Sequence, residues 1–193
     1  MKKSYGRLQY NSPVTLTFAL ISLGVLLLGN ITKGESTSLL FCAYKSSWSD
    51  PLTYIRLFGH VLGHAGWGHF SGNMVLFLVL GPMLEEKYGS KLLLGMIAIT
   101  ALVSGLFYVI FYPHNALLGA SGIVFMMIVL SSAAGMQEGR IPITLILVVV
   151  IYLGGEVIDS IGSEDGIAHA AHILGGICGT GFGFSGIRKH KRQ

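Results

Sequence analysis

Hydrophobic positions fall into six long uncharged runs, at residues 13–30, 64–84, 92–112, 116–136, 141–155 and 167–187, separated by short polar connections. A helix needs about 20 apolar residues to cross a hydrocarbon layer of about 30 Å, and the fifth run reaches that length when extended to Ile161. Inside a bilayer each backbone polar group must find its partner within the segment, so every run is predicted to be a helix. The pattern predicts an all-α polytopic membrane protein with six transmembrane helices, at 13–30, 64–84, 92–112, 116–136, 141–161 and 167–187. The connections EEKYGSK, YPHN, QEGR and GSED have the brevity of helical hairpin turns. The outer loop, 31–63, is the exception. It starts polar and later carries Phe58, Val61 and Leu62, so it is expected to be partly embedded in the membrane, with Trp48, Tyr54 and Trp67 near headgroup depth. Neither a linker nor a repeat of solenoid period interrupts the chain, which reads as one domain over 1–193.

Composition agrees with this pattern. Of 193 residues, 52% are hydrophobic and 11% charged, too few charges to cover a water-soluble surface. Lys2, Lys3, Arg7, Lys87, Lys91, Arg140, Arg188, Lys189, Lys191 and Arg192 fall on the side of the termini; Lys33, Lys45 and Arg56 fall on the other. Positive residues gather inside, so both termini are expected to be cytoplasmic. The pI of 9.1 then reflects topology and contact with anionic lipid rather than nucleic acid. The basic opening followed by an apolar run also resembles the start of a secretory signal. No small-x-small cleavage site follows Leu28, so an uncleaved first helix is expected. Cys42 and Cys178 lie at different depths, which argues against a disulfide and leaves Cys178 as a packing residue.

Glycine is frequent, at 27 residues, and in the last run it is ordered. Ala171, Gly175, Gly179 and Gly183 recur every fourth residue, forming a helix face on which a neighbour can approach closely. With six spans, helices two, four and six enter from the outer side. Asn73, Ser121 and His172 then lie at comparable depth, about 6 to 9 Å below the outer boundary. Polar side chains at that depth are functional candidates by default. Ser121 stands between Gly119 and Gly122, where free helix-terminal N–H groups can also stabilise an oxyanion. Ser131 and Ser132, deeper on the same helix, read as bonded to backbone. His172 is one turn deeper than His169 and follows the first small residue of the ladder, which makes it the preferred base. No carboxylate is placed to complete a triad, and Phe125, one turn below Ser121, offers a ring for the imidazole to pack on. His69 and Asn73 share a helix face and supply N–H donors suited to a developing negative oxygen. His60 and His64 share a spacing with zinc sites, but Val61, Leu62 and Gly63 between them provide no glutamate base. No metal and no cofactor is expected.

Three segments together, H60VLGHAGWGHFSGN73, G119ASG122 and A171HILGGICG179, resemble the rhomboid family of intramembrane serine proteases in its compact six-helix bacterial form. The resemblance implies Ser121 as nucleophile and His172 as general base and then acid. His69, Asn73 and the backbone N–H of Ser121 would form the oxyanion hole. Gly119, Gly122, Phe125, Gly175, Glu85 and Arg56 take supporting roles, with Ile55 where the family commonly has tryptophan. The implied reaction is hydrolysis of a peptide bond in or near a transmembrane segment, with single-pass membrane proteins as substrates, membrane lipids as surroundings and no nucleic acid partner. The membrane would be a bacterial inner membrane, the site would open to the extracytoplasmic side, and residues 156–166 would act as substrate gate. The rival readings are a proteolytically inactive rhomboid-like binding or quality-control protein and a histidine-ligated membrane metalloprotein.

Overall fold

The computed structural model describes residues 9–133, 140–153 and 166–190, and the regular structure among them is helical apart from isolated bridge pairing. Among the described residues three helices have the length and apolar character to cross a membrane: α1 (Pro13–Ile31), α4 (Trp67–Tyr88) and α5 (Ser90–Phe111). The outer loop contains α2 (Glu35–Leu40) and α3 (Pro51–Gly59), the latter running into a 3₁₀ turn at His60–Leu62. After α5 come α6 (Ser121–Ala133), α7 (Ile143–Val148) with a π-helical continuation at Val149–Leu153, and α8 (Gly166–His190). The runs at 13–30 and 92–112 fall on α1 and α5, the run at 64–84 is helical from Trp67 as α4, and the run at 167–187 lies within the helix α8. Parts of the fourth and fifth, at 134–136 and 154–161, lie outside the described residues, as does the expected gate up to its last residue, Gly166.

The fourth run differs from expectation at its start. It is helical only from Ser121, because Leu117 is drawn into an antiparallel pair with Ala43, each N–H donating to the other's carbonyl at 2.8 Å. Hydropathy cannot distinguish an apolar loop pinned against another loop from the first turn of a helix.

At the opposite end, three helices are tied together by one carboxylate. Pro13 opens α1 with its fixed φ, and Ser12 before it makes no side-chain cap. Glu85, buried near the end of α4, accepts instead from the N–H of Val14 and of Thr15, each at 2.9 Å, and from the Thr15 hydroxyl at 2.8 Å. The hydroxyl of Ser90, first residue of α5, donates to the same carboxylate at 2.7 Å. A negative group at a helix N-terminus satisfies N–H groups that have no intrahelical carbonyl and complements the helix dipole. Between α4 and α5 the chain reverses at Gly89, whose φ of 81° glycine adopts without steric cost.

The core runs between α4, α5 and α6, with Phe77, Leu84, Leu93, Ile123, Met126 and Leu130 in one cluster. Large aliphatic side chains such as Leu20, Val79 and Ile110 face outward on the long helices. That is the inverse of a water-facing surface and suits a hydrocarbon surround. The tightest helix contact is α6 on α8. A Cβ on Gly122 would come within 3.2 Å of the Ala171 carbonyl oxygen, and one on Gly183 within 2.6 Å of the Ala133 methyl. One on Gly175 would collide with the Gly122 carbonyl, and one on Gly179 with the Met126 carbonyl. The small-residue ladder thus lies directly against the helix that begins at Ser121.

Candidate active site

The segment leading into Ser121 is positioned almost wholly by backbone bonds. Leu117 is paired with Ala43, and the Gly119 N–H donates to the carbonyl of His60 at 2.9 Å. His60 is itself fixed in the outer loop, its ring buried with Nε2 3.4 Å from the Ser104 hydroxyl of α5. The loop is rigidified by Arg56, whose guanidinium donates to the Leu39 carbonyl at 2.8 Å, pairs with Asp50 at 3.1 Å and lies 4.5 Å from the centre of the Tyr44 ring. Asp50 in turn caps α3 through the Leu52 N–H. Arg56 therefore belongs to the scaffold of the outer loop, while Ile55 on the same helix is exposed.

Gly119 brings the second element in. Its φ is 119°, a region that strains any residue with a side chain. A Cβ there would also stand 2.7 Å from both Cε1 and Nε2 of His69 and 3.8 Å from Nδ2 of Asn73. The loop in front of Ser121 thus passes over the face of α4 that carries both residues. Backbone bonding fixes the orientation of His69: the Ala65 N–H approaches its Nδ1 at 3.5 Å, which makes Nδ1 the acceptor and leaves the proton on Nε2, toward Gly119. Asn73 is buried, and its Nδ2 has no hydrogen-bond partner among the described residues. Buried amide donors are rarely left so, and one beside a helix start is suited to receive an anionic oxygen from outside the chain.

Ser121 is the first residue of α6, partly exposed, with Ala120 accepting the first helical bond from the Val124 N–H at 2.9 Å. The N–H groups of that opening turn have no carbonyl a turn earlier and carry the positive end of the helix dipole. From α8, His172 stacks on Phe125, ring centroids 4.2 Å apart and planes 4° from parallel. His169 meets the His172 ring edge-on at 6.5 Å. Phe125 is one turn below Ser121, and Ala171 abuts Gly122, so α8 brings His172 to the end of α6 where Ser121 stands. By contrast, Ser131 and Ser132 both donate to the Ile128 carbonyl, at 2.8 and 3.1 Å, as read from the sequence.

His64 packs edge-on against His69 at 5.1 Å and against Phe70 at 5.3 Å; one ring nitrogen meets the Leu62 carbonyl at 3.1 Å, while Nε2 is buried without a partner among the described residues. It is thus only half satisfied. Cys178 packs on the core cluster. Among the described residues no three His, Cys, Asp or Glu side chains converge on a common point. The anchoring backbone groups, the carbonyls of His60 and Ala43 and the N–H of Ala65, escape sequence reading because any residue type supplies them.

A helical membrane bundle with a serine at a helix start, an imidazole on the adjoining helix and two amide or imidazole donors beside it defines the class. The Rhomboid domain profile matches residues 51–189, and the chain belongs to the rhomboid family. It is 29% identical over 160 residues to Rhomboid-related protein 2 of Mus musculus, covering 70% of this chain and 52% of that protein. It is 27% identical over 184 residues to Rhomboid protease GlpG of Yersinia pestis (strain Pestoides F), covering 93% of this chain and 65% of the relative. The chain thus spans between half and two thirds of the length of these relatives.

Proposed function

We propose that this chain is an intramembrane serine endopeptidase that hydrolyses a peptide bond in or near a transmembrane segment of a membrane-protein substrate. The observation that carries the reading is the approach of Gly119 to His69 and Asn73 beside the N-terminus of α6, with His172 held at the same end by the face of Phe125.

In this mechanism the Ser121 hydroxyl attacks the substrate carbonyl as His172 takes its proton. Negative charge develops on the carbonyl oxygen and is met by the Nε2–H of His69, the Nδ2–H of Asn73 and the Ser121 N–H. His172 returns the proton to the leaving amine, leaving an acyl-enzyme. A water entering from the outer face gives His172 a proton as it attacks the ester, and that proton passes to Ser121 as the acid product leaves. The face of Phe125 restricts rotation of the imidazole. The site is assigned to the extracytoplasmic side with both termini cytoplasmic, and single-pass membrane proteins are the natural substrate class.

The test is direct. A serine-directed fluorophosphonate should label the wild-type chain in proteoliposomes and not Ser121→Ala. Ser121→Ala and His172→Ala should each reduce cleavage of a model transmembrane substrate to background. Retained cleavage in either variant refutes the dyad.

A further inference from the structure

Away from the candidate site, a cavity of about 430 Å³ lies between α1 and α5 under the outer loop, lined by Phe18 and Ile21, by Leu94 and Ala98, and by Phe58 and Leu62. Apart from Thr17, every side chain lining it is apolar, and the Thr17 hydroxyl is bonded to the Tyr10 hydroxyl at 2.8 Å. Such a space does not hold water, and left empty it forfeits dispersion contacts on every wall. Both long walls belong to helices able to cross a membrane, so the medium at its opening is hydrocarbon. Its walls extend along α1 from Pro13 to Ile21 and along α5 from Leu94 to Ala101. At about 1.5 Å per residue this is about 10 to 12 Å, most of the depth of one leaflet.

The chemistry at the end nearest the chain's N-terminus is basic. Lys91 is exposed one turn before Leu94, on the flank of the α5 stripe that lines the cavity. Tyr10 is exposed just before α1. Of the carboxylates there, Glu85 is buried and engaged by four donors, and Glu86 is exposed on α4. We propose that this groove is a binding site for an anionic phospholipid of the leaflet on the N-terminal side, one acyl chain lying between α1 and α5 and the phosphate meeting Lys91 and the Tyr10 hydroxyl. Phe58 and Leu62 roof the chain and flank His60, whose carbonyl holds Gly119. An occupied groove therefore braces the outer loop from beneath. Binding itself does not depend on the proposed protease reading and can be measured on Ser121→Ala.

The probe is phosphatidylglycerol with a diazirine in one acyl chain, photolysed with the full-length Ser121→Ala protein in phosphatidylcholine vesicles and mapped by mass spectrometry. Label should concentrate on peptides containing 13–21 and 94–101. Unlabelled phosphatidylglycerol should compete better than phosphatidylcholine, and Lys91→Gln should weaken that advantage about fivefold. Ala98→Phe, which fills the groove, should remove the labelling there and leave lipid-facing Val79 of α4 labelled as before. Label spread evenly over all outward helix faces, or equal competition by phosphatidylcholine on the protein without groove substitutions, overturns the proposal whether or not Ala98→Phe folds.

Discussion

The rings of Phe125 and His172 lie face to face, 4.2 Å between centroids and 4° from parallel, across the contact between α6 and α8. The contact ties imidazole orientation to the helix that begins at Ser121. Aromatic pairs of this kind contribute about 0.5–1.5 kcal/mol beyond burial. Phe125→Leu should therefore lower the turnover rate about 2- to 12-fold, mainly in kcat, while Phe125→Tyr keeps most of the rate. Steady-state cleavage of a transmembrane substrate in proteoliposomes reads the difference. A Leu variant with wild-type kcat would remove the orienting role.

Gly175 faces the backbone of Gly122, with no room between them for a side chain. Gly175→Ala has to push α8 from α6, and overpacking of this kind costs about 1–3 kcal/mol. Cleavage should fall steeply, because displacement occurs one turn from His172. Gly181, on the same helix, has open space where a Cβ would go, so Gly181→Ala should leave activity unchanged. Comparable losses in both variants would mean that the close approach at Gly175 does not govern the effect.

These two contacts also mark what the sequence reveals. The every-fourth small residue from Ala171 to Gly183 predicts a close helix contact, and the structure supplies its partner, the face of α6 from Gly122 to Ala133. Three helix boundaries followed from hydropathy to within a few residues, because burial in hydrocarbon imposes a sharp signal. The start of α6 did not follow, because Leu117 and Leu118 are as apolar as a helix while their loop is held by Ala43 and His60. The family resemblance gave Glu85 a supporting role; its bonds to Val14, Thr15 and Ser90 depend on tertiary placement and could not be read from the sequence.

That carboxylate is the next test. Glu85→Ala strips four donors of their shared acceptor, two of them N–H groups of the first turn of α1. Hydrogen bonds to a charged group are each worth about 1.5–3 kcal/mol, and buried donors left unpaired add a desolvation cost, so a loss of about 3 kcal/mol or more is expected. Glu86→Ala, at the exposed neighbouring position, should change stability by less than about 0.5 kcal/mol. Unfolding curves in mild detergent compare the two. Equal midpoints would show that α1 is held by apolar contact alone.

The outer loop provides a pH dependence. His60 and His64 lie between α3 and α4, outside the candidate spans. Burial lowers the His60 pKa to about 3. Burial first, and then the neighbouring His69, lowers that of His64 to about 4, with a bond to the Leu62 carbonyl opposing. Both imidazoles are therefore neutral in the folded loop near neutrality. Below about pH 6.5 the unfolded chain takes up these protons and the folded chain does not, so the contribution present above that pH is lost as pH falls toward 4. Each group can add up to about 1.4 kcal/mol per pH unit to the slope, with the fully enclosed His60 adding more than His64. The thermal midpoint in detergent should fall between about pH 6.5 and 4, and His64→Gln should flatten the fall. Because the His60 carbonyl holds Gly119, loss of the loop should also release the segment before Ser121, and cleavage should decline with the midpoint. A midpoint constant across that interval would mean that these imidazoles take up protons as readily in the folded protein as in the unfolded chain.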